Sequence, residues 1–208
     1  MNRRAMHPYR TFKAFARAAA LPALLALAAC GQSGPSPQDA PLAGGAIGGD
    51  FTLVDKANKP VRYADFAGKY RVIYFGYTFC PDVCPLDVQN LMRGYHLFAK
   101  AHPDLAPQVQ PLFVSIDPAR DTPARVGEFA GNFGKELIGL TGTEQQAAAA
   151  AKAFAVFYQK REGSSPDAYL MDHSRAAYLM DREGRPIALL PVEKDGKSVA
   201  AELEKWIR

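Results

Sequence analysis

The sequence predicts an α/β domain built on a mixed, mostly parallel sheet with helices on both faces. From residue 50 onward, short apolar segments rich in β-branched and aromatic residues alternate with longer segments in which apolar residues recur at helical spacing. This alternation is typical of parallel strands joined by helices, and hairpins predicted at both ends of the domain add antiparallel strands. The chain has 208 residues, of which 48% are hydrophobic, and this suffices for one domain with a substantial core.

The first half of the domain begins with strands. Segments 51–54 and 61–63 flank a turn that ends at Pro60, which predicts an N-terminal β hairpin. Segment 70–75 is almost continuously apolar and is typical of a buried central strand. The next helix is predicted to end before Pro103, and its apolar residues at helical spacing are Val88, Leu91, Met92, Tyr95 and Phe98.

The second half continues with strands and helices before it closes with antiparallel strands. The segment Asp121-Thr122-Pro123 supplies an N-cap and a proline at the first helical position, so it predicts the start of a helix. Thr143 caps an alanine-rich helix that is predicted to end near residue 158. A glycine-containing turn at 181–185 predicts a hairpin. The remaining predicted elements are strands over 109–116, 137–140, 176–180 and 186–191 and an amphipathic helix over 197–207.

Residues 1–29 have the pattern of an export signal. They contain five basic residues and no acidic one, and then an apolar segment too short for a mature transmembrane helix. The signal ends in Leu27-Ala28-Ala29-Cys30, which resembles the lipobox of bacterial lipoproteins and implies that Cys30 is acylated and becomes the mature N-terminus. The alternative is an ordinary signal peptide with a chance cysteine. Gly, Pro, Ser and Ala dominate residues 30–49, which predicts a flexible tether to a domain over 50–208.

The charge of the mature protein argues against a nucleic-acid partner. The chain has 25 basic and 21 acidic side chains, and loss of the signal leaves 20 basic against 21 acidic ones. The positive net charge therefore belongs to the precursor, and no basic footprint remains for nucleic acid. Once Cys30 is acylated, two of the three cysteines are left for the domain, Cys80 and Cys84.

The motif Cys80-Pro81-Asp82-Val83-Cys84-Pro85 directly follows the predicted central strand. Pro85 is favoured at the first position of a helix, so Cys84 is predicted to be the N-cap and Cys80 to lie in the loop before it. Thiols near a helix N-terminus have a lowered pKa, and the thiolate is the form that attacks disulfides and binds soft metals. A structural disulfide is the alternative, but it would close too short a loop to stabilise the chain much.

His173 is the candidate third ligand, at the entry to the strand predicted over 176–180. His96 and His102 fall on or after the first long helix and outside its apolar stripe, as expected for solvated side chains. A loop histidine by itself is more often a structural hydrogen-bonding group than a ligand. Two thiolates and one imidazole nevertheless form a soft ligand set suited to Cu(I) and, with adjustment, to Cu(II), whereas zinc prefers a fourth ligand. Met171 would add a thioether, although packing is its expected role.

A redox-type cysteine pair after the central strand makes the thioredoxin fold the natural candidate. In open α/β sheets, active groups gather at the carboxyl ends of strands, and both Cys80 and Asp117 follow strands in this way. Asp117 is therefore predicted to be a supporting carboxylate rather than a ligand.

Four motifs together resemble those of the Sco (SenC) family of copper proteins. They are Tyr74-Phe-Gly-Tyr-Thr78, the cysteine motif, Val114-Ser-Ile-Asp-Pro118 with Arg120-Asp-Thr-Pro123, and Asp172-His-Ser174. The resemblance covers about residues 50–208 and implies a thioredoxin-like fold, membrane tethering and copper held by Cys80, Cys84 and His173, with Asp117 as a nearby carboxylate. Phe79 departs from the polar residue or histidine that many relatives carry there, which makes the entrance more apolar.

The resemblance also implies a copper chaperone, not an enzyme, that helps to assemble the dinuclear copper centre of cytochrome c oxidase. Its implied partners are the copper-centre subunit of the oxidase and other periplasmic copper or thiol-redox proteins. The implied location is the bacterial cell envelope, with a lipid anchor and the domain facing the periplasm, at the inner membrane by function or else at the outer membrane. The competing hypothesis is a thiol–disulfide oxidoreductase that keeps a partner's cysteines reduced. The spacing of the thiols and the lack of a proline at His173–Ser174 favour copper.

Overall fold

The computed structural model describes residue 1 and residues 35–163 and 168–208. The predicted signal segment and Cys30 lie outside the described residues. In the described part of the chain, no helix is both long and apolar enough to cross a membrane. The predicted N-terminal hairpin is confirmed, because strand β1 (Thr52–Val54) pairs antiparallel with strand β2 (Pro60–Arg62).

A mixed five-stranded sheet forms the centre of the domain. The elements after the hairpin are β3 (Tyr70–Gly76), α1 (Val83–Ala101), β4 (Val109–Ser115), α2 (Pro123–Gly131), β5 (Ile138–Leu140), α3 (Glu144–Ala153), β6 (Tyr158–Arg161), β7 (Leu170–His173), β8 (Ala177–Met180), β9 (Pro186–Leu190) and α4 (Gly196–Trp206). The strand order is β5–β4–β3–β8–β9. The β3–β4 and β4–β5 pairs are parallel, whereas the β3–β8 and β8–β9 pairs are antiparallel. Strand β3, which leads to the cysteines, therefore lies in the middle of the sheet.

Helices cover both faces of this sheet, as predicted. Tyr74 and Phe113 point to one face, where the Tyr74 hydroxyl contacts α1 and Phe113 packs on Phe129 of α2 with ring centroids 4.7 Å apart. Helix α4 packs against α1 on that side. Phe75 points to the other face and packs on Phe154, directly after α3, at 5.3 Å. Because successive side chains of a strand alternate in direction, a strand covered on both faces is buried throughout, as β3 is, and its one charged residue, Arg71, donates to the carbonyls of Asp181 and Arg182.

The β6–β7 hairpin is a separate two-stranded sheet that carries His173. The sequence predicts no strand here, between a helix that ends near residue 158 and the strand predicted over 176–180. Helix α3 instead ends at Ala153, because Ala155 adopts a left-handed φ of 52° and the N–H of Val156 donates to the carbonyl of Ala151 at 2.8 Å. Such a helix end usually carries glycine, so the sequence has no local signal for it.

Part of the segment predicted to be a flexible tether packs against the domain. The N–H of Leu42 donates to the carbonyl of Ile187 in β9 at 3.0 Å, and the N–H of Gly48 donates to the carbonyl of Ala153 at 2.8 Å. Ala40 is buried, and the side chains of Leu42 and Ile47 pack against the core. Within the segment predicted to be a tether, these hydrogen bonds and apolar contacts therefore hold residues 40–48 against the domain.

Candidate metal centre

The two motif cysteines lie between the carboxyl end of β3 and the first turn of α1. Because α1 begins at Val83, Cys84 is its second residue, and the prediction that Cys84 is the N-cap is wrong. The sulfur of Cys80 instead accepts a hydrogen bond from the backbone N–H of Cys84 at 3.3 Å, which satisfies one of the free donors at the helix start. Pro85 lies in the first turn of α1, where backbone N–H groups have no acceptor within the helix. The N–H that proline lacks therefore costs the helix no hydrogen bond.

Both cysteines are free thiols, and they differ in acidity. The hydrogen bond shared with the Cys84 side chain lowers the pKa of Cys80 to about 3, with further help from the backbone N–H groups of Asp82 and Cys84. The same hydrogen bond raises the pKa of Cys84, and burial raises it further. At neutral pH, Cys80 is therefore the thiolate and Cys84 the thiol. This asymmetry supplies a soft anionic ligand before any metal arrives.

His173 ends strand β7 and faces the cysteines. Its Nε2 lies 3.2 Å from the sulfur of Cys84, and its Nδ1 lies 2.9 Å from the carbonyl oxygen of Ser174. A carbonyl oxygen only accepts hydrogen bonds, so Nδ1 carries the hydrogen and the lone pair of a neutral ring is on Nε2. The ring is thus in the tautomer that a metal ligand needs, with the ligating nitrogen toward the sulfur atoms.

The ligand atoms of Cys80, Cys84 and His173 all lie within 4.8 Å of one another. Among the described cysteine, histidine and acidic side chains, this is the group that is placed to hold a metal ion. The three residues come from the loop after β3, the start of α1 and the end of β7. The structure therefore brings the three sequence-predicted ligands together.

Two tyrosines line the centre and were missed by sequence reasoning. The rings of Tyr74 and Tyr77 stand edge-on to the His173 ring, with centroids 6.3 and 6.0 Å away. Burial, together with the carboxylate of Asp87, raises the pKa of Tyr74, and burial together with Cys80 raises that of Tyr77 to about 12. Both phenols stay neutral at physiological pH. The motif Tyr74-Phe-Gly-Tyr-Thr78 could have indicated these two tyrosines, because a phenol hydroxyl in or next to a buried strand needs a polar partner.

Asp117 lies after β4 and contacts the residues that precede β7. Its carboxylate accepts hydrogen bonds from Arg120 Nε at 2.6 Å and from the Tyr169 hydroxyl at 2.7 Å. Arg120 also donates to the carbonyl of Tyr169 and stacks on its ring, 3.5 Å from the centroid. These contacts hold the start of the strand that ends in His173. The supporting role of Asp117 stays a prediction.

Asp121 supports the loop that carries Cys80. The sequence predicts an N-cap at 121–122, and Thr122 fills it by accepting the N–H of Arg125. Asp121 is instead fully buried and accepts hydrogen bonds from the hydroxyls of Thr78 and Ser115, both at 2.6 Å. Burial raises the pKa of this carboxyl, outweighing the hydrogen bonds that lower it.

The other candidates lie away from the centre. His96 is exposed and faces Glu136, and His102 is half-buried and faces Glu204, so both lie at the surface as expected. Met171 is half-buried and packs against the core, as expected.

A family model described as SCO1/SenC matches residues 39–208. This chain belongs to the SCO1/SenC family. The match begins inside the segment that the sequence assigns to a tether, in agreement with the packing of that segment on the domain. Protein SenC of Rhodobacter capsulatus is 43% identical over 135 residues, which are 65% of this chain and 59% of that protein. The mitochondrial SCO2 homolog of Mus musculus is 39% identical over 136 residues, 65% of this chain and 52% of that protein.

Solved SCO1/SenC structures have the same fold as this chain. ScoI of Bradyrhizobium japonicum, solved with copper bound, superposes with a TM-score of 0.69 at 35% identity and covers 77% of this chain and 99% of that one. Yeast Sco1 with copper bound gives a TM-score of 0.70 at 33% identity, over 77% and 87% of the two chains. The predicted thioredoxin-like fold is thereby confirmed. The chain spans about half the length of the curated relatives that it matches.

Proposed function

We propose that this SCO1/SenC chain is a copper chaperone that binds copper through Cys80, Cys84 and His173. The observation that carries the proposal is the convergence of two sulfur atoms and one imidazole nitrogen within 4.8 Å. This donor set fits copper because thiolates select soft ions and imidazole suits copper in either oxidation state. Family members at 33–35% identity have been solved with copper bound, which supports the proposal.

The three ligand residues have different roles in copper binding. The Cys80 thiolate provides the first soft ligand, and Cys84 loses its proton when the metal binds, so binding releases a proton. His173 adds a neutral nitrogen that is already in the required tautomer. Three protein ligands leave room for a ligand from a partner, which allows copper to pass on by ligand exchange.

The proposed recipient is the copper-centre subunit of cytochrome c oxidase. The protein BsSco, whose structure is similar, is described as a member of the Sco family of cytochrome c oxidase assembly proteins. A thiol–disulfide oxidoreductase is less well supported, because thiol–disulfide exchange requires a thiolate and an accessible disulfide but no imidazole nitrogen next to the buried thiol.

We also propose that residues 1–29 are a signal peptide and that acylated Cys30 anchors the protein in the cell envelope with the domain facing the periplasm. The lipobox-like ending supports this, and a SCO1/SenC family protein of Bacillus anthracis is named a lipoprotein. The tether then runs from Cys30 to the segment that packs on the domain. A lipid anchor would hold the copper centre close to a membrane-bound recipient.

A copper titration of the full chain, purified in mild detergent, tests the proposal. We expect one copper per protein and, for Cu(II), a sulfur-to-copper charge-transfer band. Cys80→Ser and Cys84→Ser should each abolish that band or weaken binding strongly, because a thiolate ligand is lost. Binding of copper by the Cys80→Ser, Cys84→Ser double variant as tightly as by the wild type would disprove the assignment.

The cellular test uses His173→Ala, which leaves both thiols oxidisable. We expect this variant not to restore cytochrome oxidase activity in cells that lack the protein at low copper. Full restoration by a variant whose apo form is as stable as the wild type would favour the reductase hypothesis instead.

A further inference from the structure

An ion pair next to the metal centre has no part in the function proposed above. Asp87 lies on α1, three residues after Cys84, and Arg175 lies two residues after His173. Arg175 donates from Nε to one carboxylate oxygen at 2.9 Å and from Nη2 to the other at 2.6 Å. The carboxylate is fully buried, whereas 40% of the arginine side chain is exposed. The pair thus joins the helix that carries one ligand to the segment that carries another.

Tyr74 makes the third contact of this carboxylate. Its hydroxyl donates to Asp87 Oδ2 at 3.0 Å, and its ring is edge-on to that of His173. Tyr74 and Arg175, which both adjoin the metal centre, therefore donate to the buried carboxylate. Removing the cation from a buried carboxylate strongly destabilises the folded state. The ion pair therefore holds the arginine and the residues beside it in place.

His173 needs such a constraint because of where its strand lies. The β6–β7 hairpin is separate from the central sheet, so the ladder of that sheet does not position the imidazole. The chain joins the central sheet at Ala177, which pairs with Tyr74 of β3. Between His173 and Ala177, Arg175 provides a side-chain contact to α1. The bidentate contact between Arg175 and Asp87 restricts both the distance between the two side chains and their relative orientation.

We propose that Asp87 and Arg175 are positioning residues that hold His173 toward Cys84 and thereby set the affinity of the centre for Cu(II) relative to Cu(I). The inference rests on the proposed copper function. Two thiolates alone satisfy Cu(I), which accepts low coordination, whereas Cu(II) depends more on the imidazole. A misplaced His173 therefore weakens Cu(II) binding and leaves Cu(I) binding largely intact.

The test compares Asp87→Asn and Arg175→Gln with a matched control, Asn90→Ala, in the full chain in mild detergent. Asn90 is also buried on α1, one turn further along, but its side chain donates to the carbonyls of Val192 and Lys194. The control therefore removes a buried polar contact of the same helix without touching the segment around His173. Arg175→Gln serves if Asp87→Asn does not fold, because the arginine side chain is partly exposed.

Affinities for Cu(II) and Cu(I) are measured by competition with chelators of known strength, and the apo proteins are compared by the NMR shifts of the His173 ring nitrogens. We expect both test variants to lose about 10- to 100-fold in Cu(II) affinity, the usual effect of removing a group that orients a ligand. Their Cu(I) affinity should stay at the wild-type level, and their apo His173 shifts should change. Asn90→Ala should lower the melting temperature without either effect.

The possible outcomes separate this inference from the copper function itself. Wild-type Cu(II) affinity in both test variants overturns the positioning role, and so does an equal loss for both oxidation states that Asn90→Ala reproduces. If the wild type binds no copper, the proposed function fails and the inference fails with it. A selective loss of Cu(II) affinity in wild-type-like folded variants supports both.

Discussion

Cys80 and Cys84 lie four residues apart in one motif, but their surroundings give the two thiols different pKa values. Cys80 accepts the backbone N–H of Cys84 and shares a hydrogen bond with its thiol, which holds the pKa of Cys80 at about 3. The pKa of Cys84 is raised by that hydrogen bond and by burial. One ligand is thus ready as an anion, while the other is protected inside the core until a metal displaces its proton.

His173→Ala should weaken Cu(II) binding more than Cu(I) binding, because two thiolates satisfy the softer ion. Competition with chelators measures both affinities. His96→Ala is the control, since His96 is an exposed histidine that faces Glu136. Equal affinities of His173→Ala and wild type for both ions would remove His173 from the ligand set.

Asp121→Asn should change how stability depends on pH. Burial raises the folded-state pKa of Asp121 above its ordinary value of 3.8, so the folded protein binds the proton more tightly than the unfolded chain. This group's contribution to stability is therefore greatest below pH of about 4 and is lost as the pH rises through the folded pKa. As the pH rises through the folded pKa of Asp121, the wild type should lose stability relative to Asp121→Asn. Above that pKa the difference in stability should stay constant.

Urea unfolding of both proteins between acidic and neutral pH measures this difference. Groups other than Asp121 titrate in both proteins and largely cancel. A stability difference that is constant with pH would show that the Asp121 pKa is not raised.

Among the secondary-structure elements, α1 has the largest share in building the site. Its first turn supplies Cys84, its residue Asp87 accepts a hydrogen bond from Tyr74 of β3, and the helix packs on α4. The contact with α4 is closest at Gly94, where an added Cβ would lie 2.5 Å from Val199 Cβ and 2.9 Å from the carbonyl oxygen of Gly196. Real Cβ atoms do not approach other atoms so closely, so α4 can lie at this distance only because residue 94 is glycine.

Gly94→Ala should destabilise the domain by up to about 2 kcal/mol, because the usual cost of overpacking, about 1–3 kcal/mol, is only partly offset by a gain of about 1 kcal/mol in helix propensity. Gly131→Ala is the matched control. Gly131 ends α2, and nothing lies within 4 Å of an added Cβ. The control should be neutral or slightly stabilising. Urea midpoints measure both, and an equal stability of the two variants would contradict the close α1–α4 contact.

For the whole molecule, the proposed copper centre and the proposed anchor are separate features. The centre is formed within the domain from residues 80, 84 and 173, whereas Cys30 lies outside the described residues. The segment between them docks on β9 and on the end of α3 through Leu42 and Gly48. Loss of the anchor should therefore change where the protein is found and leave metal binding as it was.

Cys30→Ser should abolish fatty-acid labelling and release the protein from the membrane or leave it uncleaved, because the acyl-accepting sulfur is gone. Metabolic labelling followed by fractionation measures this, and copper titration of the variant should match wild type. Cys80→Ser is the control and should be labelled normally. Labelling of Cys30→Ser at the wild-type level would rule out acylation at that residue.

Much of the fold and the proposed ligand set can be predicted from the sequence alone, because the signals are local or depend on residue type. Apolar runs predict β3 and β4, Thr122-Pro123 predicts the start of α2, and the chemistry of thiol and imidazole side chains singles out Cys80, Cys84 and His173. Contacts between distant segments cannot be predicted in this way. The capping of α1 by Cys80, the β6–β7 hairpin and the Asp87–Arg175 pair join segments that only the folded chain brings together.

The sequence by itself determined which side chains are available for binding a soft metal and that the cysteine pair follows the central strand at its carboxyl end. Only the tertiary structure decided their protonation and orientation. Burial and hydrogen bonds from neighbouring segments separate the pKa values of Cys80 and Cys84, and the Ser174 carbonyl selects the tautomer of His173. These quantities depend on distances of a few ångströms between residues that are far apart in the chain, and side-chain type and spacing do not contain that information.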